Sequence, residues 1–114
     1  MWAALMGLEI HEGYAPHYRK GLMLEVAQRR GMQPTACMVS SPIRPLGTWG
    51  YVFGVRTGVL RYCKVVDVSH PRDVERHKRT GRVAEIDWKD TEALCGRTDE
   101  RVIDCPIIVV WEGR

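Results

Sequence analysis

A period of two in the hydrophobic and polar positions dominates the chain from Ala36 onward, and this pattern predicts short β-strands. Over residues 49–55 large side chains alternate with small or aliphatic ones, so one face of this strand is strongly aromatic. We expect that face to lie in the core, since aromatic side chains are usually buried. A tight turn at 56–58 leads into a returning strand at 59–68, and 102–111 reads as a β-branched, largely buried strand.

Two helices are predicted beside these strands. Between Gly21 and Arg30 the apolar residues recur at helical spacing, and Gly31 supplies a stop. A second, short helix is expected directly after Asp87, and Gly96 closes it.

The remaining segments have no clear helical or strand period. Residues 69–80 are almost wholly polar and are predicted to form a loop. Residues 9–18 contain Gly13 and Pro16 and are expected to be irregular or an edge strand. Residues 83–86 are expected to add one more short strand.

Size and charge narrow the class of protein. A chain of 114 residues with 45% hydrophobic residues forms one compact domain. The net charge of +3 is spread along the chain, which argues against nucleic acid as a partner. The mild positive charge would suit an anionic polymer such as a cell wall. It is equally explained by the charged surface that keeps a protein soluble. No apolar run reaches the roughly 18–20 residues of a membrane span, and the first eight residues make a poor signal peptide.

Four cysteines without a Cys-x-x-Cys pair argue against a zinc ribbon or a thioredoxin-like motif. Four cysteines allow three disulfide pairings. We favour Cys95 with Cys105, because only a short loop separates them, which leaves Cys37 with Cys63. Four reduced, buried cysteines of an intracellular protein are the alternative.

Five segments occur in an order that resembles the double-psi β-barrel of the rare lipoprotein A-like, barwin and expansin superfamily. They are the Pro-Leu-Gly-Thr strand opening at 45–48, the hairpin at 56–58, the strand end at 65–71, the Gly-Arg-Val-Ala-Glu-Ile-Asp segment at 81–87 and the helix containing Ala93 and Leu94. The resemblance implies a mainly β fold: a six-stranded double-psi β-barrel over 36–114. An N-terminal extension over 1–35 carries the first helix (about 21–30), and the second follows Asp87.

The resemblance also implies action on glycan strands, since lytic transglycosylases, family 45 endoglucanases and non-hydrolytic expansins share this barrel. No cofactor is implied. The protein would then lie outside the cell, in the cell envelope or on a virion, with the glycan strand of a cell wall as partner.

By the same resemblance Asp87 takes the place of the catalytic acid, and Asp67 approximately matches the earlier aspartate. Cleaving a glycosidic bond needs a proton on the leaving oxygen, and partial burial of a carboxyl favours its protonated form. Asp87 is alternatively the N-cap of the helix that follows it. Asp67 lies in an apolar strand, where it is either paired with a basic residue or exposed in a cleft.

Aromatic and histidine side chains supply candidate sugar contacts, because aromatic rings pack on the apolar faces of pyranose rings. These are Tyr14, His17, Tyr18, His70 and Trp88. His70 and His77 with Asp73 between them are too weak a pattern for a metal site, and no metal is predicted.

The chain also departs from its enzymatic relatives. Where they carry a histidine shortly before the Pro-x-Gly-Thr strand, this chain has Ser41, and residues 33–40 contain no acid. The alternative function is therefore a catalytically inactive barrel that serves as a structural or interaction module. Protein partners or self-assembly, for example in a virion or envelope assembly, would take the place of catalysis.

Overall fold

The computed structural model describes residues 8–96 and 104–113, and in this part of the chain the protein is mainly β, with one curled sheet of six strands and three short helices. The strands are β1 (Glu9–Ala15), β2 (Met38–Ser41), β3 (Trp49–Gly54), β4 (Leu60–Val68), β5 (Glu85–Ile86) and β6 (Cys105–Trp111). The helices are α1 (Leu22–Arg29), α2 (Pro71–Thr80) and α3 (Thr91–Cys95), and a 3₁₀ turn (Trp88–Asp90) precedes α3.

The sheet has the strand order β1-β6-β3-β4-β2-β5, and β2 with β4 is its parallel pair. The sheet curls enough for the chain around the end of β1 to reach the segment that contains β5. Backbone N–H groups of Tyr14 and Tyr18 donate to the carbonyls of Gly81 and Ile86, each at 2.8 Å. Ile86 N–H in turn donates to the Pro16 carbonyl at 2.9 Å, so backbone groups at both edges of the sheet are paired.

The helix predicted over about residues 21–30 is confirmed as α1, but it follows β1, which is already a strand of the sheet. It begins after Gly21, whose φ of 82° lies in the left-handed region, and its buried residues include Met23 and Ala27. These two side chains pack with Met38 and Val66 in a small hydrophobic cluster of their own. The apolar stripe of α1 therefore docks this helix on the outside of β2 and β4.

The prediction of a loop over residues 69–80 is wrong, because this segment contains helix α2. The His70 ring accepts a hydrogen bond from Arg72 N–H at 3.2 Å, and Pro71 occupies the first turn. Gly81, with φ 73°, ends the helix in a left-handed conformation. These are ordinary start and stop signals. The buried residue of α2 is His77. Because a polar residue takes the buried position, the sequence of this helix shows no apolar stripe.

The expectation that the aromatic face of β3 is core is also wrong. Tyr51 is exposed and Trp49 is partly buried, whereas Gly50, Val52 and Gly54 face inward. A Cβ added at Gly50 would lie 2.4 Å from a ring carbon of Trp111, which is fully buried. The glycines face inward because Trp111 and α3 already fill that space.

Both favoured cysteine pairs form disulfides: Cys37 with Cys63, and Cys95 with Cys105. The first joins the residue before β2 to β4, and the second joins α3 to β6. Disulfides are typical of an oxidising, extracellular environment.

Replacement of Gly54 by alanine tests the packing of α3 on the sheet. A Cβ at this position would lie 2.1 Å from the backbone oxygen of Leu94, so either β3 or α3 must shift. We expect Gly54→Ala to lower the free energy of unfolding by about 2–3 kcal/mol in urea denaturation. The neighbouring exposed position provides the control, Val55→Ala, which we expect to change it by less than about 0.5 kcal/mol. Equal stability of both variants would contradict the packing described here.

Candidate functional site

Two carboxylates and a hydroxyl form a row across three adjacent strands. Ser40 on β2 pairs with Asp67 on β4 and with Glu85 on β5. Residues directly opposite in paired strands project from the same face, so the two acids flank Ser40 on one side of the sheet. We call Asp67, Ser40 and Glu85 the acidic row.

A β-bulge creates this alignment. Val39 pairs with Val65, but the next residue, Ser40, pairs with Asp67, so Val66 is the extra residue of β4. Without that shift Ser40 would lie opposite Val66, and Asp67 would pair one residue further along β2. The bulge therefore places a carboxylate where regular pairing would place a valine.

Asp67 is buried and fully engaged by hydrogen-bond donors. The Tyr18 hydroxyl donates to Oδ2 at 2.5 Å, and Arg30 Nε and Val68 N–H donate to Oδ1 at 2.7 and 2.9 Å. The guanidinium of Arg30 balances the negative charge, as a buried carboxylate requires. Burial is the main cause that raises the pKa of Tyr18 well above its usual range, and the hydrogen bond to Asp67 is the next. The phenol therefore keeps its proton and remains a hydrogen-bond donor.

Glu85 differs from Asp67 in its surroundings. Burial raises the pKa of Glu85 above its ordinary value of 4.5, and the negative charge of Asp67 raises it further, while Arg82 opposes the shift. Nε2 of His77 lies 3.9 Å from Oε1 of Glu85. Burial and the charges of Arg82 and Arg76 lower the pKa of His77, so its neutral form faces the acid. Compared with an exposed glutamate, Glu85 holds its proton to higher pH.

Asp87 has a local structural role. It is 4% exposed, and its Oδ1 accepts a long hydrogen bond of 3.5 Å from Lys89 N–H at the start of the 3₁₀ turn. Asp87 lines a cleft together with Leu24 and Trp88. Asp67 lines a different cleft, whose other residues lie in α1 or directly after it. The two predicted carboxylates thus border different clefts.

The structure brings some of the predicted sugar-contacting residues together and separates others. Tyr18 joins the acidic row through Asp67. The ring of His17 packs edge-on against Trp88, with centroids 5.1 Å apart, on the Asp87 side of the molecule. Tyr14 is half exposed on β1 and lies beside Gly81. His70 caps the start of α2. Within the part of the chain that the structure describes, no hydrogen bond joins His70 to the acidic row.

Glu85, Ser40 and Arg30 were not predicted as site residues. Glu85 lies in the 81–87 segment that carries the resemblance, two residues before the aspartate that was chosen. Its position beside Asp67 depends on the bulge and on the pairing of β5 with β2. Neither feature has a signal in the sequence of one chain.

Within residues 8–96 and 104–113, no group of three or more His, Cys, Asp or Glu side chains is arranged to hold a metal ion. In the same residues, no helix is both long and apolar enough to cross a membrane. A scan of the sequence against protein-family models finds no match, and a search of curated proteins finds none either.

The raised pKa of Glu85 predicts a specific pH dependence of stability. The folded state binds this proton more tightly than the unfolded state, so ionisation of Glu85 destabilises the fold as pH rises from 4.5 through the folded-state pKa. Glu85→Gln has no ionised form. We expect its free energy of unfolding to rise relative to the wild type between about pH 4 and pH 7 in urea titrations.

Glu75→Gln on the exposed side of α2 is the matched control, and its difference from the wild type should change little over the same range. A pH-independent difference for Glu85→Gln would show that burial does not favour the protonated form of Glu85.

Proposed function

We propose that this protein is a double-psi β-barrel that acts on the glycan strands of cell walls, and that the acidic row is its reactive site. The observation that carries the proposal is the pair of carboxylates flanking Ser40. Asp67 is ion-paired with Arg30, while burial favours the protonated form of Glu85. Two carboxyl groups in such different environments are typical of an acid and an anionic partner in glycoside cleavage.

The proposed barrel is supported by the backbone hydrogen bonds between the two edges of the sheet. The segment 14–18 and the segment 81–86 exchange bonds in both directions, with Val83 N–H donating to Tyr14 at 2.9 Å as well as Tyr14 N–H to Gly81. Closure of a sheet into a barrel requires bonds between its two edges, so these bonds support the proposal. The parallel pair β2–β4 and the parallel bridges between the two edges, at Tyr14–Arg82 and His17–Ile86, are compatible with the double-psi arrangement that the sequence resembles.

Glu85 would act as the general acid. Its proton passes to the glycosidic oxygen as the bond to the anomeric carbon breaks, and the Asp67 carboxylate stabilises the positive charge that develops on the sugar. In a lytic reaction a hydroxyl of the same sugar then attacks the anomeric carbon, and its proton returns to Glu85. One acid/base residue is sufficient for this sequence.

Asp87 is the rival for the acid role, because it lies in the same 81–87 segment and is also buried. Its bond to Lys89 N–H and its separate cleft favour a structural role. An asparagine is as good a helix cap as an aspartate, so Asp87→Asn removes the acid and keeps the cap.

A second candidate function is a catalytically inactive barrel with a structural or interaction role, in which protein partners or self-assembly replace the glycan. The observation in its favour is the engagement of both Asp67 oxygens by Tyr18, Arg30 and Val68. Such a saturated carboxylate is also what a purely structural ion pair requires.

Incubation of the protein with intact peptidoglycan and with peptide-free glycan strands, followed by mass spectrometry, tests the proposal. We expect release of anhydro-sugars, and we expect Glu85→Gln to reduce the rate by at least about 100-fold, because it removes the proton donor. Asp87→Asn should keep most of the activity. Thermal unfolding of both variants establishes that they are folded.

Loss of activity in Asp87→Asn with retention in Glu85→Gln would transfer the acid role to Asp87. Absence of product from the folded wild-type protein on either substrate would favour the inactive barrel.

A further inference from the structure

A third cleft, of about 510 Å³, lies between the loop that joins β2 to β3 and the residues after β6. The loop contributes residues 44–48, β3 contributes Trp49, and Glu112 and Gly113 form the opposite side. Neither carboxylate of the acidic row lines this cleft, so its chemistry is separate from the proposed reaction.

An aromatic ring in a fixed orientation borders the cleft. Trp49 stacks on Tyr62 with centroids 4.8 Å apart and planes 19° from parallel, and Tyr51 packs against Tyr62 at 4.9 Å. Trp49 also lines the cleft, and Tyr62 supports one face of its ring. Such a supported ring is a ready contact for an apolar ligand face, because little side-chain freedom remains to be lost on binding.

Hydrogen-bond donors and acceptors both lie beside this ring. The Tyr62 hydroxyl donates to Oε1 of Glu112, and this hydrogen bond raises the pKa of Tyr62 to about 12. Among residues 8–96 and 104–113, the guanidinium of Arg44 makes only long contacts, at 3.4 Å to the Glu112 backbone oxygen and 3.8 Å to Glu9. The terminal guanidinium N–H groups of Arg44 and the carboxylate of Glu112 are therefore the charged donor and acceptor beside the cleft.

The loop that lines the cleft is anchored to the strands of the acidic row. The Ser41 hydroxyl, next to Ser40, accepts hydrogen bonds from the backbone N–H groups of Ile43 and Arg44. At its other end, Gly47 N–H donates to the Val65 carbonyl at 2.8 Å, two residues before Asp67. The loop that lines the cleft thus runs from the end of β2, next to Ser40, back along β4 to the level of Val65.

We propose that the Trp49 cleft is a binding subsite for a neutral pyranose residue of a glycan chain. The Trp49 ring would pack on the apolar face of the sugar. Arg44 would donate to sugar hydroxyls and Glu112 would accept from them, and a hydroxyl group uses both kinds of contact. The identification of the polymer as cell-wall glycan rests on the proposed function; the sugar-binding cleft itself rests on these residues.

Titration of ¹⁵N-labelled protein with peptide-free glycan strands, and separately with cellopentaose, tests the inference by NMR. We expect the indole N–H signal of Trp49 to shift on addition of the sugar. Trp49→Ala should weaken binding by roughly tenfold, because the ring contact is lost. Glu112→Gln keeps the shape of the side chain and should weaken binding by a smaller factor. Leu60→Ala, at an exposed residue of β4 that does not line the cleft, is the control and should bind as the wild type does.

Binding that persists in Leu60→Ala and falls in Trp49→Ala supports the subsite whether or not the wild type releases anhydro-sugars, so the proposed function can fail while this inference stands. A Trp49 signal that no sugar shifts, or unchanged binding in both folded Trp49→Ala and Glu112→Gln, overturns it. If Trp49→Ala does not fold, the Trp49 signal of the wild type and the affinity of Glu112→Gln decide the matter.

Discussion

The buried charge of Asp67 is the constraint on which much of this structure depends. A carboxylate at this depth is tolerated only with a cationic partner and saturated hydrogen bonds. Those partners come from three parts of the chain: Tyr18 from the segment after β1, Arg30 from the end of α1, and the backbone of Val68 on β4 itself. The requirement to neutralise one side chain therefore helps to fix where the segment from Tyr18 to Arg30 lies against the sheet.

Features that depend on neighbouring residues could be predicted from the sequence, whereas features that depend on contacts between distant segments could not. Helix α1, the main strands and both disulfides were predictable, because periodicity, glycine stops and a short cysteine spacing act locally. Helix α2 was missed because its apolar periodicity is absent. The inward face of β3 was misassigned because alternation alone does not say which face is buried, and the bulk of Trp111 decides it. The pairing of Glu85 with Ser40 depends on a bulge between strands distant in sequence, which no local pattern records.

The filled interior also explains where the polar groups of the acidic row and the Trp49 cleft are located. Trp111, Val52 and Ile107 are fully buried in one continuous core, and inward-facing glycines admit the largest of these side chains. In a small curled sheet the inward-facing side chains fill the interior. Polar groups accordingly collect where strands end and loops begin, which is where both the acidic row and the Trp49 cleft occur.

The disulfide between Cys37 and Cys63 has a consequence for when the acidic row is assembled. It ties the residue before β2 to the strand that carries Asp67, and β2 with β4 is a parallel pairing only four residues long on the β2 side. Short parallel pairings are comparatively weak. Before this bond forms, the shifted register is held by backbone hydrogen bonds and side-chain packing alone. Oxidation of this cysteine pair is thus coupled to the alignment of Asp67 with Ser40, and a chain still in a reducing compartment would hold that alignment less firmly.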